Sequence, residues 1–156
     1  MEKETEQELI KRMIGFQKEE ITSSIIYQKL AAKEKNPHNR EILQRIAEDE
    51  RRHYATLRGY THQDVSPNRF EICFYVWLVR LLGATFAVRR LELGEKETSG
   101  VYSQYPSMEH FAEMARDEQH HEEKLIEMID EERLQYMGSV VLGLNDALVE
   151  FTGALA

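Results

Sequence analysis

An all-α bundle of four helices is the fold this sequence predicts, on three observations. Apolar residues recur by threes and fours along four separate segments, the spacing of one helix face. No stretch alternates apolar and polar residues over the length of a strand. Only eight glycines and three prolines occur in 156 residues, which leaves room for long unbroken helices.

The first segment, about residues 3–34, carries Leu9, Met13, Phe16, Glu20, Ser24, Tyr27 and Ala31 on one stripe. "KNPHNRE" ends it and starts the next helix, with Asn36 as cap and Pro37 in the first helical position. The second stripe is Leu43, Ile46, Glu50, His53 and Leu57, and Gly59 is expected to close it. "GYTHQDVSPN" is the one long turn-rich stretch and divides the chain into halves. A strongly apolar run follows Pro67 and leads into a third stripe of Thr85, Val88, Glu92, Glu95, Ser99 and Tyr102, which ends before Pro106. The fourth stripe is Phe111, Met114, Glu118, His121, Leu125 and Met128.

Composition removes several classes of function. A net charge of −8 argues against nucleic acid, whose phosphates need a basic face. A single cysteine excludes an internal disulfide and any four-cysteine metal centre built by this chain alone. Cys73 stands among apolar residues and is expected to be a buried packing thiol. "MEKETEQELIKR" lacks the apolar run of a secretion signal, so a cytoplasmic setting is expected.

Each stripe would be an ordinary apolar seam except that glutamate or histidine fills its middle. Burying an isolated carboxylate is costly unless it is paired or binds a metal. "AEDERRH" at 47–53 and "ARDEQHH" at 115–121 both spell Ala-x-Asp-Glu-x-x-His. Residues three apart project from nearly one helix face, so Glu50 with His53, and Glu118 with His121, can each address one ion. Glu20 precedes Tyr27 by seven, and Glu95 precedes Tyr102 by seven, close to two turns. The chain thus reads as two helix hairpins, each with a lone glutamate and a Glu-x-x-His, the donor set of a two-metal helix bundle. Oxygen-rich ligation with some nitrogen suits iron or manganese. Glu50 and Glu118 are expected to bridge two ions. Glu20 and Glu95 are the expected terminal carboxylates, His53 and His121 the terminal nitrogens. Tyr27 and Tyr102 are expected behind them, orienting carboxylates by hydrogen bonds. His38, His62, His110, His120 and Glu19 fall off the stripes and are read as solvated.

With "EEITSSIIYQKLA", "AEDERRH", "LELGEKETSGVY" and "ARDEQHH", the chain resembles the rubrerythrin branch of the ferritin-like superfamily over roughly residues 8–135. The resemblance implies a ferritin-like four-helix bundle with a long crossover and two iron ions, for which manganese or zinc would be substitutes. It also implies reaction with hydrogen peroxide or oxygen. Glu92 matches an additional carboxylate of that family, which lets one iron shift between histidine and carboxylate ligation as its oxidation state changes. Rubrerythrins usually carry a four-cysteine electron-delivery domain that this chain lacks. Ferrous iron oxidation is therefore the first expectation. A peroxidase with an external electron donor, or a non-catalytic metal-binding or sensing domain, is the alternative.

The last 20 residues, 137–156, depart from the bundle pattern, which gives a domain at 1–136 and a tail. "GLNDALVEFTGALA" resembles the start of the first membrane helix of the vacuolar iron transporter (Ccc1-like) family. Some members of that family carry a rubrerythrin-like domain ahead of the membrane part. The resemblance implies a transporter domain in the same full-length chain and tethering to the cytoplasmic face of a membrane. A C-terminal amphipathic helix packed on the bundle or a partner is the other reading. The second and third bundle helices run parallel in such a fold, so the link must travel back along the bundle. Either a loop and a short helix do so within one chain, or one long helix spans residues 67–104 and two chains exchange halves. The apolar "FYVWLV" predicts a homodimer in both cases.

Overall fold

The computed structural model describes residues 6–82, 87, 88, 90, 91 and 109–154, and the described chain is helical with no strand. Helix α1 spans Glu6–Ala31, α2 Pro37–Thr61, α3 Arg69–Leu82 and α4 Glu109–Ala154. The all-α expectation holds for the described residues.

The turn between α1 and α2 is fixed by its own side chains. Asn36 is extended, and its side-chain oxygen accepts from the His38 amide at 2.9 Å, with Pro37 at the first helical position. Glu34 accepts from the Asn36 amide at 2.8 Å, and Arg40 donates back to the Glu34 carbonyl at 2.8 Å. Gly59 does not end α2, contrary to the sequence expectation. The helix runs on to Thr61 and stops at His62, a left-handed cap with φ 53° whose amide bonds the Arg58 carbonyl.

The link after α2 is tied to α1. Thr61 donates to the Gln17 side chain at 2.7 Å, and Gln17 donates to the Gln63 carbonyl at 2.8 Å. Five residues further along α1, the Thr22 hydroxyl accepts from the Asn68 amide at 2.9 Å. Residues 62–68 therefore climb along α1, and α3 continues in the same direction. Val76 and Val79 of α3 line a groove with Lys29 and Lys33 near the end of α1. Residues 62–82 thus run back along α1, antiparallel to α2.

The interior has a layered order. Met13, Leu57, Phe111 and Met114 form one apolar cluster. Tyr27, Leu43, Ile46, Leu125 and Met128 belong to a second, larger one. Along α1, α2 and α4 the polar residues Glu20, Glu50, His53, Glu118 and His121 fall between these two layers. Equal spacing on three helices brings the polar positions to one height. Ser24 adds a buried tie, donating to the Ala47 carbonyl of α2 at 2.8 Å.

Cys73 is exposed, not buried. Ile72, Tyr75 and Leu78 are the α3 residues turned inward, and position 73 is rotated off that face by the helical repeat. Helix α4 is 46 residues, about 69 Å at 1.5 Å per residue, and passes position 137 without interruption. Beyond Ile129, Leu134, Met137, Val141, Leu142, Leu144 and Val149 are exposed. No helix among the described residues is long and apolar enough to cross a membrane.

Candidate metal centre

Three helices deliver the site. Glu20 comes from α1, Glu50 and His53 from α2, Glu118 and His121 from α4, and four of the five are buried to 4% exposure or less. Glu118, its side chain 9% exposed, lies at the edge. Glu20, Glu50, His53 and Glu118 each turn one donor atom into a space where these atoms lie within 4.8 Å of one another.

His53 is the hub of that group. Its Nδ1 lies 3.4 Å from Glu118 Oε1, 3.6 Å from Glu20 Oε2 and 4.0 Å from Glu50 Oε2. The other oxygen of Glu50 lies 3.1 Å from His121 Nδ1. Glu50 thus stands between the two imidazoles, whose ring centres are 6.2 Å apart.

Both rings are held from behind, and by each other's helix. His53 Nε2 donates to Asp117 Oδ2 of α4 at 3.1 Å, and His121 Nε2 donates to Asp49 Oδ2 of α2 at 3.1 Å. Each aspartate is the residue just before the glutamate of the opposite Asp-Glu-x-x-His. Arg52 closes the arrangement on one side, with one guanidinium nitrogen 2.7 Å from Asp49 and another 3.0 Å from Asp117. The paired guanidinium and imidazole outweigh the effect of burial and hold the Asp117 carboxyl below its ordinary range.

With both Nε2 atoms committed, each Nδ1 faces carboxylate oxygens. The Nδ1 atoms of His53 and His121 are buried and make no hydrogen bond. That is the geometry of metal-ligating histidine, one ring nitrogen fixed by a carboxylate and the other turned to the ion. The donor set of carboxylates and imidazoles fits iron or manganese. In its metal-free form the site balances charge with protons. Burial pulls the His53 imidazole down, but Glu118, Glu20 and Asp117 together push it up to about 10.

The structure thus brings together five of the seven ligands expected from the sequence. Glu20, His53, Glu50 and Glu118 surround one candidate space, and His121 Nδ1 faces the other oxygen of Glu50. Glu95, the other expected terminal carboxylate, the additional carboxylate Glu92, and Tyr102 lie outside the described residues. Tyr27 is fully buried in the larger apolar cluster. The sequence reading missed Asp49 and Asp117, although both repeats carry aspartate at that position, which was the available signal. His38, His62, His110, His120 and Glu19 are exposed, as expected.

Among the described residues the chain is all-helical, and it buries carboxylates and imidazoles together at one height. Residues 1–60 match the rubrerythrin family, covering Glu20, Glu50 and His53. No curated protein and no solved structure matches the chain at a significant level.

Proposed function

We propose that this chain is a di-iron carboxylate protein that binds ferrous iron and oxidises it with oxygen or hydrogen peroxide. The observation that carries the reading is the convergence of Glu20, Glu50, His53 and Glu118 on one space, with both histidine Nδ1 atoms left to face it. Glu20, Glu50, His53, Glu92, Glu95, Glu118 and His121 would hold two iron ions, with manganese or zinc as substitutes. When bound, the iron pair supplies two electrons, which peroxide takes up with two protons to give two waters. Glu50 neutralises charge between the two imidazoles, and Asp49 and Asp117 keep the rings turned inward. The apolar layers above and below hold bulk water away.

Glu92 is the residue assigned to follow the change in iron charge. Glu92→Ala is expected to slow oxidation several-fold more than it weakens ferrous binding, read by anaerobic loading and then stopped-flow mixing with each oxidant. Equal loss of both would remove that role. Peroxide that reacts much faster than oxygen, with turnover once a reducing protein is added, would favour the peroxidase reading. Cys73 is the one cysteine of these 156 residues, so a four-cysteine donor would lie outside them. Reversible binding without oxidation would leave a metal-binding or sensing domain.

The proposal extends to the tail, read as the approach to an attached iron transporter at the cytoplasmic face of a membrane. Its support is that α4 carries Glu118 and His121 and, without a break, the exposed apolar stretch after Leu134. Flotation with phospholipid vesicles tests it. The chain is expected to float and the Val141→Asp/Leu144→Asp variant to stay behind, whereas identical behaviour of the two would exclude lipid contact through the tail.

A further inference from the structure

Helix α3 is apolar on two faces, and among the described residues only one of them is packed into the core. Ile72, Tyr75 and Leu78 are 6–9% exposed and join the larger core cluster. On the other side Phe70 is 90% exposed, Phe74 47%, Trp77 57% and Leu81 62%. At 100° per residue these four lie within about 60° of one another, a single stripe along the helix. A soluble helix that is apolar all round is normally covered all round.

We propose that the outer stripe of α3 is the contact surface for a second copy of this chain, in an antiparallel pair. Three features identify that occupant. The stripe's spacings, four, three and four, are palindromic about the midpoint between Phe74 and Trp77. An antiparallel copy therefore sets Phe74 against the partner's Trp77 and Phe70 against the partner's Leu81, as the two-fold axis of an isologous dimer requires.

The charge layout is that of an interface. Residues 72–79 carry no charge, while Arg69, Glu71 and Arg80 stand at the two ends. That is an apolar centre with a charged rim. The area also suffices. At roughly 150–250 Å² per aromatic side chain, each copy presents on the order of 400 Å² of aromatic surface. With Leu81 and the flanking side chains, the pair covers about 1,000 Å², the lower bound for a specific contact. Phe74 is already set for it, held edge-on against Tyr75 at a ring separation of 5.4 Å.

Trp77 is the chain's one tryptophan, so it reports on this surface alone. Sedimentation equilibrium from 1 to 100 μM is expected to give a dimer, with Trp77 emission shifting to the blue as concentration rises. Phe74→Glu, and separately Phe70→Glu at the more exposed position, are expected to weaken association at least 100-fold. Both variants should keep the wild-type helical content and ferrous stoichiometry, so an unfolded variant is recognised as such. A wild type that stays monomeric throughout would overturn the proposal. So would a dimer that survives both substitutions, or a monomer whose Trp77 emission shifts only with phospholipid vesicles.

Discussion

Replacing Glu50 and Glu118 together by alanine is expected to reduce anaerobic ferrous binding from two ions per chain to few or none. Glu50 stands between the imidazoles, its two oxygens 4.0 Å from His53 Nδ1 and 3.1 Å from His121 Nδ1, and Glu118 adds an oxygen 3.4 Å from His53. No other carboxylate among the described residues occupies that central place, so both metal positions lose a shared donor at once. Asp49→Ala or Asp117→Ala, measured in the same titration, gives the graded comparison. These residues orient an imidazole without ligating, and loss of such a partner lowers metal affinity about 10–100-fold while leaving stoichiometry intact. Circular dichroism of the double variant checks that the fold survives, because Glu118 is also a partner of the buried His53 imidazole in the metal-free protein. One ion or none in the wild type, unchanged in the variant, would mean that the repeated motif is structural and would sink the functional reading.

Much of this site was legible in the sequence because helices translate spacing directly into height. Glu20, Glu50, His53, Glu118 and His121 each replace an apolar residue in the middle of a stripe, and the structure sets them between two apolar layers. The aspartates were not legible by the same rule. Position 49 lies about 100° from Glu50 on its own helix, where periodicity alone assigns a solvated role. Its part in the site comes from the neighbouring helix, whose His121 points Nε2 outward to the place Asp49 reaches. Which residues meet across a helix interface depends on packing, and single-helix periodicity does not contain it. Cys73 failed for a related reason: apolar neighbours in sequence surround it on both helix faces, and only one face meets α1. The end of α2 turned on a local competition in which His62 adopts the left-handed conformation although Gly59 was available three residues earlier. The homodimer and the transporter link rest on surfaces, the outer α3 stripe and the end of α4, where a sequence records apolarity but not the partner.

Ferrous affinity is expected to climb steeply with pH, by about tenfold per unit and so about 100-fold between pH 6 and pH 8. Metal-free His53 carries a proton at neutral pH. Burial opposes the charge, but Glu118, Glu20 and Asp117 outweigh it and push the imidazole to about 10. Ligation through Nδ1 requires the neutral ring, so each ion bound there displaces one proton. The same shift acts on the metal-free fold with the opposite sign. Its folded-state value lies above the ordinary imidazole value of 6.5, so the stabilisation is fully present below about pH 6.5. It is lost as pH rises through 10. The metal-free melting temperature should therefore fall between pH 7 and 10, over the range where the metal-loaded protein holds its stability. Calorimetric titration in two buffers of different ionisation enthalpy counts the proton directly. His53→Gln should flatten the pH dependence, because the amide has no proton to give up, and should weaken binding at pH 8 far more than at pH 6. An affinity already flat in the wild type would mean that His53 is neutral before metal arrives. The carboxylates around it would then have to be partly protonated, and the charge balance assigned to the metal-free site would be wrong.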